Sequence, residues 1–251
     1  MIGLGVVCLL HADFVNSLQP VPASIPGYGL LAMTTGAFLL AIGLATASNY
    51  QLHAAGIALA SLLALGIVLL HVPSAFTNPE LLRSPWWIRT FEALALAGTA
   101  LILAGLASDP PRERWDGAGR VAFGVSLPVF GILHFVYPQF VAALVPAWYP
   151  WPLFLAFLTG AGHFAAGIAI ASGVLARAAA ILAGLMYATW ALTLHLPRVL
   201  DNPPARTIDN PAGYGGDRPE LTSLFVCVAF WGAAWIVAGS FEERYARRRG
   251  D

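Results

Sequence analysis

Long apolar runs alternate with short polar breaks along the whole chain, and the runs have the length of membrane-crossing helices. Eight can be marked: Ile2–Val15, Tyr28–Ala47, His53–His71, Ile88–Ala107, Val121–Val136, Pro152–Ser172, Arg177–Leu196 and Leu221–Ser240. A helix rises about 1.5 Å per residue, so crossing a hydrocarbon core of about 30 Å takes about 20 residues. The first run is short by that measure. It lacks a basic leading region and an Ala-x-Ala cleavage site, so it reads as a spanning helix that begins at the first residue, not as a removed signal peptide.

The runs fall into two sets of four. The stretch from Val21 to Pro73 lies on the stretch from Val145 to Pro197 without a gap, at an offset of 124 residues. Roughly 20 of about 53 positions are identical, which marks a tandem duplication of a membrane module. An even number of spans per copy inserts both copies the same way up, as parallel repeats. The expected fold is therefore all-α: a polytopic membrane protein with eight transmembrane helices in two parallel four-helix repeats. Residues 1–108 form the first unit, 109–120 a cytoplasmic linker, 121–240 the second unit and 241–251 a basic cytoplasmic tail.

Composition sharpens the class. Of 251 residues, 58% are hydrophobic and only 10% charged, where a soluble domain carries about a quarter. The lipid bilayer is thus the first partner. A net charge of zero gives no footing for nucleic acid. All thirteen basic residues are Arg. The short turn at Arg177, the linker Arg112, Arg114 and Arg120, and the tail lie on one side, whereas the loops Val15–Gly27 and Tyr137–Trp151 carry none. The positive-inside rule then places a multi-pass protein in the cell membrane with both termini cytoplasmic. Trp86, Trp87, Trp148, Tyr149 and Trp151 fall at the opposite side, as an interfacial aromatic belt does. Asn78-Pro79 and Asn202-Pro203 mark a shared turn, and the longer second loop is the expected external functional loop. Cys8 and Cys227 sit in apolar runs at unmatched positions, as buried thiols do.

Histidine carries the candidate chemistry. His71 and His195 close the third and seventh runs, each before x-Pro. His11 and His134 lie near the outer ends of the first and fifth, related by the duplication with a one-residue gap. His163 stands alone, because its counterpart is Leu39. Helical spacing puts His163 on one face with Gly160 and Gly167, and His134 on one face with Gly124 and Gly131. Small residues let membrane helices approach closely, so Gly36, Gly43, Gly160 and Gly167 are expected as packing positions. An imidazole among them points into the bundle, where polar groups are paired or functional. For His134, His163, His195, His11 and His71 three readings stand: ties between helices, a quinone-type ligand site, or haem or metal ligation. The last is weakest, since no clustered ligand spacing is present and no metal set is expected. Glu92 is an acid inside a long run; an ion pair with Arg89, three residues earlier, explains it simply, and proton handling is the alternative. No nucleophile, phosphate-loop or dinucleotide motif identifies a catalytic residue.

The run from Leu144 to Val199 resembles the DoxX-like membrane proteins. The features are His134 ahead of the loop, Val-Pro-Ala at Val145–Ala147, Thr-Gly-x-x-His at Thr159–His163, an Ala-rich third helix with Met186, and His195-x-Pro197. The resemblance covers the second copy well and the first more weakly. It implies small four-helix bundles linked to membrane redox chemistry, some of them subunits of quinone-linked oxidoreductases. The expectation is an accessory or subunit-type component of such a system. It would have no independent catalytic activity, quinone as its ligand and a redox subunit as its partner. A structural assembly protein and a small-solute carrier remain as alternatives. Since Leu39 replaces the motif His, a site built on that His survives only in the second copy.

Overall fold

A computed structural model describes residues 1–77, 85–201 and 219–250, with side chains for 1–77, 86–200 and 220–242. The Asn78-Pro79 and Asn202-Pro203 turns, the body of the longer second loop, Asp251 and the side chains of the tail Arg residues lie outside the described residues. Every regular element described is helical. We number them α1 (Ile2–His11), α2 (Tyr28–Ala47), α3 (Leu52–Gly66, continued to Thr77), α4 (Ile88–Leu106), α5 (Glu113–Val136), α6 (Pro138–Leu144), α7 (Pro152–Ser172), α8 (Ala176–Trp190, continued to Asp201) and α9 (Pro219–Gly250).

Seven of these, all but α1 and α6, are long and apolar enough to cross a membrane. The chain is therefore a polytopic helical membrane protein. The first apolar run does not fill its expected length: α1 ends at His11 because Ala12 turns left-handed at φ 49°. Its 10 residues reach only about 15 Å, half of a bilayer core. The linker is also shorter than the sequence suggests. Helix α5 starts at Glu113, with Glu113 and Asp116 in its first turn, where acidic groups complement the exposed N–H groups.

Two local devices recur at the 124-residue spacing. Left-handed residues stand at Gly27, Asn49 and Gln51, and again at Trp151, Gly173 and Leu175, where they end or begin α2, α3, α7 and α8. Helices α3 and α8 each contain one π-helical turn, Ile67–His71 and Ala191–His195, ending on the His before x-Pro. There Val72 N–H bonds the Ile67 carbonyl and Leu196 N–H the Ala191 carbonyl, five residues back. Pro73 and Pro197 have no N–H and would clash with a regular ladder. The wider turn absorbs that misfit and lets each helix run on.

The helices pack as one bundle. Helices α4 and α5 are its centre, each 56% buried against 28–39% for the other long helices. They cross where a Cβ on Gly98 would stand 2.7 Å from the Gly119 carbonyl oxygen. Around them α3 packs on α4, α7 on α5, α8 on both α7 and α9, and α1 on α2 and α9; α4 also meets α9. The end of α9 is clamped to the start of α5. Buried Arg120 donates from Nε to Ser240 Oγ (2.9 Å) and from Nη2 to the Ser240 carbonyl (2.7 Å), and pairs with Asp116. A guanidinium at that depth is tolerable because its charge and donors are matched.

Candidate functional site

Helices α5 and α7 carry the two best-placed histidines, and glycine sets their separation. A Cβ on Gly160 would stand 2.7 Å from His134 Cβ, and one on Gly131 2.7 Å from the Gly160 carbonyl oxygen. One on Gly167 would stand 2.5 Å from the Gly124 carbonyl oxygen. Backbones this close bring the His134 and His163 rings to 5.1 Å, centroid to centroid. Both are buried, at 4% and 1% exposure.

Hydrogen bonds fix what each ring offers. A carbonyl only accepts, so Nδ1–H of His163 donates to the Thr159 carbonyl (2.9 Å), one turn back. Nε2 of the neutral ring then carries the lone pair, and the Tyr187 hydroxyl donates to it at 3.1 Å. His134 is fixed the same way: its Nδ1–H donates to the Phe130 carbonyl at 2.7 Å, leaving Nε2 as an acceptor. An aromatic wall surrounds the pair. Trp190 lies 5.8 Å from His134, nearly parallel, and 5.4 Å from His163. Phe130 meets His163 edge-on at 5.9 Å, and Phe230 of α9 closes on Tyr187 at 5.2 Å. The result is a small polar centre in an apolar wall, with one acceptor nitrogen on His134 and one hydroxyl on Tyr187.

The other three candidate histidines are not brought to this centre. His195 Nδ1 faces Glu220 Oε2 at 3.3 Å, and Arg198 reaches Glu220 Oε1 at 3.5 Å and the Leu144 carbonyl at 2.8 Å. That cluster ties α8, α9 and the end of α6. His71 donates from Nε2 to the Leu18 carbonyl at 3.1 Å, and its Nδ1 takes the Thr90 hydroxyl at 3.3 Å. It joins α3 to α4 and to the loop after α1. His11 lies at the end of α1, partly exposed, with no hydrogen bond or ring contact among the described residues. Nor does it stand where the duplication would put it. Gly36 and Gly43 pack on α1 as Gly160 and Gly167 do on α5, with a Cβ on Gly36 2.7 Å from Cys8 Cβ and one on Gly43 2.6 Å from the Ile2 nitrogen. Cys8, one turn before His11, therefore holds against Gly36 the place that His134 holds against Gly160.

Positions 124 residues earlier in the chain lack these side chains. Leu39 stands for His163, Leu63 for Tyr187, Gly66 for Trp190 and Cys8 for His134. Tyr187 and Trp190 escape a search for histidines. The signal in the sequence is the comparison at the 124-residue offset, which sets Leu63 against Tyr187 and Gly66 against Trp190. Among the described residues no group of three His, Cys, Asp or Glu could hold a metal ion. No protein-family model, curated protein or solved structure matches the chain.

Proposed function

We propose that this chain is a DoxX-like membrane protein made of two parallel copies of a four-helix unit, with both termini cytoplasmic and α1 as a shortened eighth membrane helix. It serves as an accessory or subunit-type component of a quinone-linked membrane redox system, and only its second unit holds the ligand. One observation carries the reading: the buried Tyr187–His163–His134 centre, whose positions are aliphatic, Cys or Gly in the first unit. The recurring turns and π segments support the duplication. The inner-face contacts support its parallel sense: His53 Nδ1 meets the Ala104 carbonyl at 2.8 Å and Arg177 pairs with Glu242 at 2.7 Å, so α3 begins beside the end of α4 as α8 begins beside the end of α9.

The residues fit a quinol headgroup in kind. His134 Nε2 accepts one hydroxyl hydrogen, the Tyr187 oxygen keeps a lone pair to accept another while its own hydrogen stays on His163, and Trp190 and Phe130 give flat apolar walls. Bound quinone or quinol would supply the two-electron chemistry; the chain would hold the headgroup and its proton. The test is quinone retained by purified protein, read by solvent extraction. Wild type is expected to retain it, and His163→Leu and His134→Leu to lose at least about tenfold, the cost of one or two lost hydrogen bonds. Equal quinone content in all three would overturn the ligand reading.

A structural reading has its own observation: both imidazole Nδ1 atoms are spent on carbonyls of their own helices. It requires that His134→Leu and His163→Leu leave partner activity intact while lowering thermal stability.

A further inference from the structure

The bond between Tyr187 and His163 joins an oxidisable ring to a base. The phenol oxygen stands 3.1 Å from Nε2 of a neutral imidazole, and the Thr159 carbonyl fixes that nitrogen as the one with the lone pair. Both side chains are shut off from the surface, at 4% and 1% exposure. A phenol buried in this way has no bulk water to take its proton. The imidazole at hydrogen-bond distance is already placed to accept it.

Aromatic rings join the pair to the edge of the bundle. Trp190 meets the Tyr187 ring edge-on at 5.8 Å and lies 5.4 Å from His163. It is itself half-buried on α8, next to the exposed Thr189. On the other side Phe230 of α9 stands 5.2 Å from Tyr187 and 5.6 Å from Phe130. Within this cluster Tyr187 and Trp190 are the rings that give up an electron most readily, and Tyr187 is the one bonded to an imidazole. The matching positions 124 residues earlier, Leu63, Leu39 and Gly66, hold neither ring nor base.

The geometry points to Tyr187 as a redox-active tyrosine, with His163 as its proton acceptor and Trp190 as the ring through which the electron leaves. The co-reactant is a one-electron oxidant, an oxidised metal centre of a membrane redox partner. It takes one electron from Tyr187. The phenol O–H bond breaks and an N–H bond forms on His163 Nε2. The products are a neutral phenoxyl radical, an imidazolium and the reduced metal centre. Loss of the electron alone would leave a positive phenol between Phe230 and Trp190, which burial penalises. Moving the proton puts the charge on an imidazolium whose two N–H groups rest on the Thr159 carbonyl and the Tyr187 oxygen. Return of an electron sends the proton back. The partner's class comes from the proposed function; the chemistry of the pair needs no quinone.

The test uses the full chain in lipid nanodiscs without added quinone. A ruthenium bipyridyl photo-oxidant is attached at Thr189→Cys, and a labelled chain that keeps Thr189 controls for Cys227. Electron paramagnetic resonance after a flash reads the radical, and nitrogen-15 histidine reports coupling of its oxygen to an imidazole. A neutral tyrosyl signal that disappears in Tyr187→Phe and carries that coupling is expected. His163→Gln can still accept the hydrogen bond but is no base, so it should lower the Tyr187 signal by at least about tenfold. Trp190→Phe should slow its formation. A wild-type signal that Tyr187→Phe leaves unchanged overturns the proposal, as does an equal Tyr187 yield in His163→Gln. Should His163→Gln not fold, absence of imidazole coupling in wild type counts against it equally. The Tyr187 radical in a protein that retains no quinone would support the pair and sink the proposed ligand alone.

Discussion

At His163 one hydroxyl decides whether a buried ring nitrogen is satisfied. Tyr187→Phe removes the donor and keeps the ring against Phe230 and Trp190, so packing changes little. The cost is an unpaired acceptor, about 1–3 kcal/mol. Thermal unfolding in detergent should register it, and a melting point equal to wild type would mean that the hydrogen bond contributes nothing. Glycine gives a sharper contrast two residues apart. Gly160→Ala drives a methyl toward His134 Cβ, at 2.7 Å, whereas the same change at Gly162 meets only the Met186 sulfur at 3.9 Å. The first is expected to lose about 1–3 kcal/mol by overpacking. The second should gain up to about 1 kcal/mol from helix propensity. Equal melting temperatures for the two variants would remove the close α5–α7 crossing from the argument. The sequence showed His163 and its glycine face because the spacing lies within one helix. It hid the 5.1 Å approach of His134, which depends on where two helices cross. Tyr187 was legible in principle: α7 and α8 are antiparallel about the turn at Gly173, which brings it opposite His163.

Among the elements, the start of α5 departs most from a hydrophobicity profile. Its charges read as a linker, because a mean over side chains does not see that Arg120 and Asp116 are one turn apart and can neutralise each other. The pair and Ser240 instead join α5 to α9. Arg120→Met is expected to cost about 3–5 kcal/mol, since it strips a buried Asp116 of its cation. Adding Asp116→Leu should restore most of that loss. A double variant no better than the single would place the energy in the Ser240 bonds. The turn between α7 and α8 carries a smaller conformational term. Gly173 has φ 80° and open space where a Cβ would stand, so Gly173→Ala adds left-handed strain alone, about 1–2 kcal/mol. The π turns were not legible in the hydrophobic pattern. The x-Pro after each His was, and the missing proline N–H is the physical cause of the widened turn.

Over the whole molecule, the seam between α1–α4 and α5–α9 decides how the helices act. Apolar runs mark where the long helices lie, not which faces meet, and the faces here cross the seam. Helix α4 packs on α5 and α9, and α1 packs on α9. With only 10 residues, α1 offers a short surface, and it packs on both α2 and α9. Membrane helices fold first and associate afterwards, through close packing and interhelical hydrogen bonds. Two fragments divided in the linker, residues 1–110 and 111–251, therefore retain each other's docking surfaces. Co-expressed, they should purify together on a tag carried by either one. The first fragment alone should be degraded or aggregate, because the faces of α4 made for α5 and α9 would meet lipid or another copy. Fragments that accumulate separately, with no mutual capture, would show that the seam is not where the bundle's stability lies.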